Sequence, residues 1–126
     1  MDYDGDNDIV GLTQIFDIIG LSIYENVEEN NFYEHEQTFY EIFTSSFVIS
    51  DLDNDDFPDI VCPDLSPDGG IYIIYNEGDF NLSEQQYFYV ANYGEPIRKS
   101  FCADLDGNGF NDIITIRYSH NILPSN

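Results

Sequence analysis

An acidic pattern occurs three times along the chain, and this repetition constrains the fold more than any other feature of the sequence. Its full form is Asp-x-Asp-x-(Asp/Asn)-x-x-x-Asp followed by two β-branched residues. The closing aspartates, Asp8, Asp59 and Asp112, lie roughly 50 residues apart, a period typical of propeller repeats. We call residues 2–8 loop one, residues 51–59 loop two and residues 104–112 loop three; the opening acidic position of loop one falls before Met1.

The segments between the loops are also similar to one another. Residues 20–26 precede a similar stretch at 70–76, and residues 37–40 precede a similar stretch at 86–89. These segments are short, rich in Ile, Val, Phe and Tyr, and bounded by Gly, Pro, Asn and Asp, which predicts strands. A helix competes only over residues 34–43, and the matching segment at 85–90 favours a strand for both.

The number of predicted strands in each repeat indicates the architecture. Four strands in roughly 50 residues is the spacing of propeller blades. We therefore expect an all-β fold of antiparallel four-stranded blades, present as an incomplete β-propeller. The expected division is the end of one blade at residues 1–43, a complete blade at 44–96 and the start of the next at 97–126. A closed propeller needs about four blades or more, so we expect a longer chain or self-association to supply the rest.

The charge of the chain excludes several classes of partner. Asp and Glu number 25 against 3 Lys and Arg, which gives a formal net charge of −22. Such a surface repels nucleic acids and anionic membranes. The apolar stretches are also shorter than the roughly 20 residues that a membrane-spanning helix needs. We therefore expect no nucleic-acid binding and no membrane insertion by this segment. Because the chain is strongly acidic, we expect its ligands to be cations.

The alternation of carboxylates within each loop points to a metal ion. Two such charges about 5 Å apart repel by roughly 3 kcal/mol at an effective dielectric constant near 20. A curled backbone directs alternate side chains toward a common centre, where hard cations such as calcium take six to eight oxygen ligands. The loops contain no His or Cys to attract zinc or copper. Calcium (Ca²⁺) is therefore the expected cofactor.

An EF-hand does not explain the loops. That motif needs a Glu at its twelfth position and a helix on either side. Counting from Asp51 the twelfth residue is Cys62, and counting from Asp104 it is Thr115. The predicted flanking segments are strands, so the calcium loop must be of another kind.

The loops, taken together with the strands around them, resemble the FG-GAP and VCBS repeats of integrin-alpha-type β-propellers. In that family the first, third, fifth and ninth loop positions supply side-chain oxygens, and the seventh supplies a backbone carbonyl. The resemblance implies these metal ligands: Asp51, Asp53, Asp55, Asp59 and the carbonyl of Phe57; Asp104, Asp106, Asn108, Asp112 and the carbonyl of Phe110; and, in loop one, Asp2, Asp4, Asp8 and the carbonyl of Asp6.

The sequence departs from the family pattern at three points, and the first is the absence of the Phe-Gly and Gly-Ala-Pro words that name the family. The glycine of the sixth loop position is present as Gly5 and Gly109 but is replaced by Asp56 in loop two. A left-handed backbone there costs more for aspartate than for glycine. Loop one lacks its first ligand position, so we expect it to bind calcium more weakly.

The resemblance also implies a function. It predicts a calcium-stabilised β-propeller region that acts in extracellular adhesion or protein–protein interaction, as in integrin alpha chains and FG-GAP proteins of the T-cell immunomodulatory type. The alternative is a non-catalytic propeller module attached to a secreted hydrolase or lyase. The sequence has no Gly-x-Ser-x-Gly motif and no His-containing metal cluster. We therefore expect no catalysis, and an extracellular or cell-surface location.

Simpler interpretations stay open for several residues. Asp-rich turns are common as solvated surface, most of all in the shortened loop one. His35 and His120 are expected to be surface or packing residues. Cys62 and Cys102 are expected to be buried free thiols, with a disulfide between neighbouring blades as the alternative. Two cysteines do not form a disulfide framework.

Overall fold

The computed structural model describes residues 2, 4–16, 18–28, 31–35, 38–90 and 94–117, without the side chains of 38–40. Within this part of the chain, regular structure consists of strands, which confirms the all-β expectation. The segment for which a helix competed contains strands as well. The strands are β1 Ile9–Ile15, β2 Ile18–Glu28, β3 Asn31–Glu34, β4 Thr38–Tyr40, β5 Val48–Ser50, β6 Asp59–Pro63, β7 Gly70–Ile74, β8 Gln86–Tyr89, β9 Ile97–Ala103 and β10 Asp112–Arg117. A search for membrane-spanning helices among the described residues found none.

The second sheet has the strand arrangement of a propeller blade. Strands β5, β6, β7 and β8 pair in sequence order, and each pairing is antiparallel. All five residues of β6 are buried, as expected for a strand covered on both faces of its sheet. The sheet lies within the segment predicted as a complete blade, although the blade boundaries themselves stay a prediction. The sheets in the described residues do not close into a full propeller.

The first sheet is built around one long strand. Strand β2 pairs with β1 along one edge. On its other edge it pairs with β4 near its beginning and with β3 near its end. In the second sheet, the region corresponding to the β2–β3 hairpin is reduced to a single bridge between Asn76 and Leu82. The third sheet is the antiparallel pair β9–β10.

The three sheets pack through two apolar clusters, with the second sheet in the middle. Between the first and second sheets lie the buried residues Ile19, Leu21, Ile42, Ile60, Cys62 and Ile74. Between the second and third sheets lie Val61, Ile71, Ile73 and Ile97. The successive β6 residues Ile60 and Val61 point into different clusters, as the period of two along a strand requires. Loop two joins β5 to β6 and loop three joins β9 to β10, so both loops connect strands of the packed sheets.

Both cysteine thiols are free, so the disulfide alternative is wrong. The physical reason is that Cys62 belongs to the first cluster whereas Cys102 packs against the second, on the other side of the second sheet. Cys62 is buried and Cys102 is half-buried. Burial raises the pKa of the Cys62 thiol to about 12. The expectation of buried free thiols therefore holds fully for Cys62 and in part for Cys102.

His35 has a packing role at the junction of the first two sheets. Its Nε2 atom lies 2.7 Å from Oε2 of Glu25. Its ring stacks on Phe80 of the second sheet's 75–82 turn, with 4.2 Å between ring centroids. These contacts agree with the packing role expected for this histidine. The prediction for His120 lies outside the described residues.

A buried carboxylate lies at the end of β6 opposite loop two. Asp64 is almost fully buried and accepts hydrogen bonds from the Ser66 amide and hydroxyl and from the Tyr87 hydroxyl, the last at 2.8 Å. Burial and the bond to Asp64 raise the pKa of Tyr87 well above its usual range. This end of the sheet satisfies its carboxylate with donors from the chain itself.

Candidate metal centres

Loop two connects β5 to β6 and draws three carboxylates together. Oxygen atoms of Asp51, Asp53 and Asp59 all lie within 4.8 Å of one another. The backbone makes this possible because Asn54 and Asp56 adopt left-handed conformations, with φ of 63° and 71°. The prediction that Asp56 takes a left-handed backbone without being glycine is confirmed.

Loop three connects β9 to β10 and has the same geometry. Oxygen atoms of Asp104, Asp106 and Asp112 lie within 4.8 Å of one another. Gly107 and Gly109 occupy the two left-handed positions, with φ of 77° and 91°. The sequence reasoning predicted the left-handed sixth position and missed the fourth. The sequence signal for the fourth position was its residue type, Asn54 in loop two and Gly107 in loop three, because Asn and Gly tolerate the left-handed conformation best.

The same hydrogen bonds hold both loops in shape. The carboxylate at the first loop position accepts hydrogen bonds from the backbone amides of the fourth and sixth positions. The carboxylate at the ninth position accepts one from the backbone amide of the second. The side-chain oxygen at the fifth position accepts one from the backbone amide of the seventh. In loop two the distances are 2.8 Å for Asn54 to Asp51, 3.0 Å for Asp56 to Asp51, 2.8 Å for Leu52 to Asp59 and 2.9 Å for Phe57 to Asp55. In loop three they are 2.7 Å for Gly107 to Asp104, 2.9 Å for Gly109 to Asp104, 2.9 Å for Leu105 to Asp112 and 2.8 Å for Phe110 to Asn108.

The carboxylates of the two loops differ in their electrostatic surroundings. Desolvation, followed by the charge of Asp55, raises the pKa of Asp53. Desolvation also raises the pKa of Asp59, against the lowering effect of its backbone hydrogen bonds. In loop three the amide of Gly109 is the main cause that lowers the pKa of Asp104. The more buried loop two therefore holds its negative charges at a greater electrostatic cost.

Strand β7 also supports loop two, a feature that the sequence reasoning missed. The amide of Asn76, just after β7, donates to Oδ1 of Asp59 at 3.0 Å. The amide of Asn26 in β2 donates to Oδ1 of Asp8 at 3.0 Å in the same way. The only sequence signal was that both asparagines end the similar stretches 20–26 and 70–76.

Loop one retains part of this geometry. The amide of Asp6 donates to Oδ1 of Asp4 at 3.1 Å, as the seventh position does to the fifth in the other loops. The backbone amide of Asp4 donates in turn to Oδ1 of Asp2 at 3.3 Å, and Gly5 is left-handed with φ of 99°. Among the described residues, the clusters of three converging carboxylates are those of loops two and three.

Not every predicted ligand lies in a cluster. Asp55 is outside the group of three in loop two, and its Oδ1 accepts the amide of Phe57. Asn108 in loop three accepts the amide of Phe110 in the same way. The ligand roles predicted for these two side chains, for loop one, and for the carbonyls of Phe57, Phe110 and Asp6 stay predictions.

The donor sets of loops two and three suit a hard divalent cation. Each cluster offers three carboxylates and no nitrogen or sulfur atom, which is the chemistry that calcium prefers over zinc or copper. Backbone amides donate hydrogen bonds to the carboxylates at the first and ninth loop positions. The remaining lone pairs of these carboxylate oxygens can bind a cation, which neutralises the repulsion among the carboxylates.

Comparison with known proteins gives a family assignment. The sequence model of the FG-GAP-like repeat family matches residues 51–115, which begins at the first residue of loop two and ends just beyond loop three. The search of curated proteins and the search of solved structures returned no match. The matched segment covers just over half of the 126 residues and contains both carboxylate clusters. The chain therefore belongs to the FG-GAP-like repeat family.

Proposed function

We propose that this chain is a calcium-stabilised β-propeller region that binds another protein outside the cell. FG-GAP repeats are generally non-catalytic modules, and membership of the family suggests a propeller-type protein–protein interaction module. Calcium binding, the extracellular location and a role in adhesion are the parts that we add. The observation that carries the proposal is the convergence of three carboxylates in each of two loops that share four hydrogen bonds.

The electrostatics of the loops support calcium. A chain of net charge −22 gathers three carboxylates within 4.8 Å of one another at two places, and one member, Asp59, is completely buried. Such clusters oppose folding unless a cation neutralises them. Calcium would lie among Asp51, Asp53 and Asp59, and among Asp104, Asp106 and Asp112, where it would fix the loops at the sheet edges.

The affinity expected for such sites supports an extracellular location. Calcium sites of extracellular modules typically bind with dissociation constants of about 0.1 to 1 mM. At about 1 mM calcium each site then stabilises the fold by roughly 0.5 to 1.5 kcal/mol. Cytosolic calcium would leave such sites empty. The metal has a structural role in this proposal, and the partner is recognised by other parts of the propeller surface.

Calorimetric titration with calcium, with thermal melts in calcium and in chelator, tests the proposal. The wild-type chain should bind at least two ions, and its melting temperature should rise by several degrees in millimolar calcium. The double variant Asp59→Asn/Asp112→Asn should lose both effects. Asp68→Asn removes one exposed carboxylate outside the loops and serves as the matched charge control. A melt that responds to neither calcium nor chelator would contradict the calcium role.

The interaction role needs its own measurement. Beads that carry the wild-type chain should adhere to cell layers in calcium and detach in chelator, whereas beads that carry Asp59→Asn/Asp112→Asn should adhere weakly in both. Calcium-independent adhesion would separate protein binding from the metal. Absence of adhesion, with calcium binding intact, would remove the adhesion part of the proposal alone.

A further inference from the structure

Loops two and three are joined by a side chain of loop three. The side-chain nitrogen Nδ2 of Asn111 donates to Oγ of Ser50 and to the backbone carbonyl of Asp51, both at 3.0 Å. In sequence Asn111 lies between the predicted ligand positions Phe110 and Asp112. Its side chain therefore links the ligand-bearing end of loop three to the first residue of loop two.

A second side chain makes the reciprocal link. The side-chain nitrogen Nδ2 of Asn54 donates to the backbone carbonyl of Gly109 at 3.1 Å. Asn54 lies between Asp53 and Asp55 of loop two, and Gly109 precedes Phe110 of loop three. We call Asn54 and Asn111 together the asparagine clamp.

We propose that the asparagine clamp couples the two acidic loops, so that calcium bound in one loop raises the calcium affinity of the other. The inference rests on the proposed calcium binding and adds a cooperative link between its two sites. Asn54 and Asn111 are positioning residues in this proposal, because they act on the ligands through the backbone.

The geometry explains how calcium binding in one loop changes the calcium affinity of the other. A cation draws in the carboxylates of its own loop and so fixes the backbone between them. Through the clamp, the backbone at Asp51 is fixed together with that at Asn111, and the backbone at Gly109 together with that at Asn54. The second cation then meets a loop that is already partly ordered, and coupling between two sites is this difference in free energy.

The junction between loops one and two offers a comparison within the same molecule. Asn111 occupies the eighth loop position, where loop two has Pro58, whose side chain has no hydrogen-bond donor. Pro58 lines a cleft of about 500 Å³ between these loops, together with Asn7 and Asp8 of loop one. Asn7 aligns with the eighth loop position, so it matches Asn111 in type and position without belonging to the clamp.

A thermodynamic cycle measured by calcium titration tests the coupling. Asp112→Asn disables loop three, and in the wild-type background it should weaken binding in loop two by about five-fold or more. In the Asn111→Ala background the same change should alter loop two by less than about two-fold. Asn54→Gly, which installs the residue type that loop three has at this position, should also reduce the coupling. Asn7→Ala is the matched control and should leave it unchanged.

Each result bears on the proposal. Coupling that is lost in Asn111→Ala and in Asn54→Gly but kept in Asn7→Ala supports it. Two sites that bind independently in the wild type, or that stay coupled in both clamp variants, overturn it and leave calcium binding intact. A wild-type chain that binds no calcium overturns the proposed function as well. If Asn111→Ala has no cooperative melt, the cycle with Asn54→Gly, an exposed residue, decides.

Discussion

Loops two and three share left-handed fourth and sixth positions and four internal hydrogen bonds, but they differ in what surrounds them. Loop two belongs to a four-stranded sheet that is packed on both faces, and its closing carboxylate, Asp59, is 0% exposed. Loop three belongs to a pair of strands, and its closing carboxylate, Asp112, is half-buried. The local sequence therefore determines the shape of each loop, whereas the surrounding sheet determines how far its charges are removed from water.

The largest predicted difference concerns the two closing aspartates. Asp59→Ala leaves the amides of Leu52 and Asn76 without their acceptor, and we expect it to lower the free energy of unfolding by about 3 to 5 kcal/mol. Asp112→Ala, in a half-buried site, should lower it by about 1 to 2 kcal/mol. Urea unfolding in chelator measures both without the metal, with Asp68→Ala as the exposed control. Equal losses at the two positions would show that the surrounding sheet does not matter.

The next prediction concerns the support beneath Phe57 of loop two. A Cβ atom on Gly78 would lie 2.9 Å from two ring atoms of Phe57, and Gly78 has φ of +91°. Gly78→Ala should therefore cost about 1 to 3 kcal/mol and weaken calcium binding in loop two more than in loop three. Gly94→Ala is the matched control, since Gly94 has φ of +88° but no atom within 4 Å of such a Cβ. Urea unfolding and calcium titration of both variants separate the clash from the backbone strain; equal effects would exclude the clash.

A smaller effect is expected from exchanging the residue types at the sixth loop position. Asp56→Gly relieves a left-handed aspartate and should stabilise the protein by about 1 kcal/mol, whereas Gly109→Ala should destabilise it by a similar amount. Asp56→Asn removes the charge but keeps a side chain that tolerates this conformation, so it isolates the electrostatic part. Thermal melts in chelator measure all three. A stabilisation by Asp56→Asn equal to that of Asp56→Gly would attribute the effect to charge.

The smallest perturbation is chemical labelling of the two thiols. Burial raises the pKa of Cys62 to about 12 and also raises that of Cys102, which is half-buried. Because the thiolate is the reactive form, Cys102 should react first with a thiol reagent and Cys62 only on unfolding. The stability that the neutral Cys62 thiol provides is complete below the ordinary thiol pKa of 9 and is lost as the pH rises toward 12, so protection of Cys62 should weaken across that range. Mass spectrometry of labelled peptides measures this, and equal rates in the native protein would contradict the assigned burial.

Much of the fold and of the metal centres could be predicted because their information is local. The repeat period and the β-rich segments indicated blade-like sheets, and the alternating aspartates indicated that carboxylates converge in loops two and three, although Asp55 lies outside the group of three. The left-handed backbone at Asp56 followed from its alignment with Gly5 and Gly109. Each loop and each strand depends on residues within a few positions of one another, and the repeat allows one copy to be read from the next.

What the sequence did not reveal depends on contacts between distant segments. Asn111 reads as a spacer between two predicted ligands, and only the packing of the third sheet on the second brings it to Ser50. The extent of β2, which pairs with two strands on one edge, depends on a hairpin that is much shorter in the next repeat. The disulfide alternative failed for a related reason, since the period of two along β6 places Cys62 away from the third sheet.

The far end of β6 shows another way to keep an acid inside a protein. Asp64 is shielded by two hydroxyl groups and an amide that the polypeptide supplies itself. That rim should hold its form whatever the surrounding ion concentration. With calcium bound in loop two as proposed, a change in calcium concentration would affect only the loop-two end of this sheet. A partner bound at the Asp64 end would then bind equally well with and without calcium.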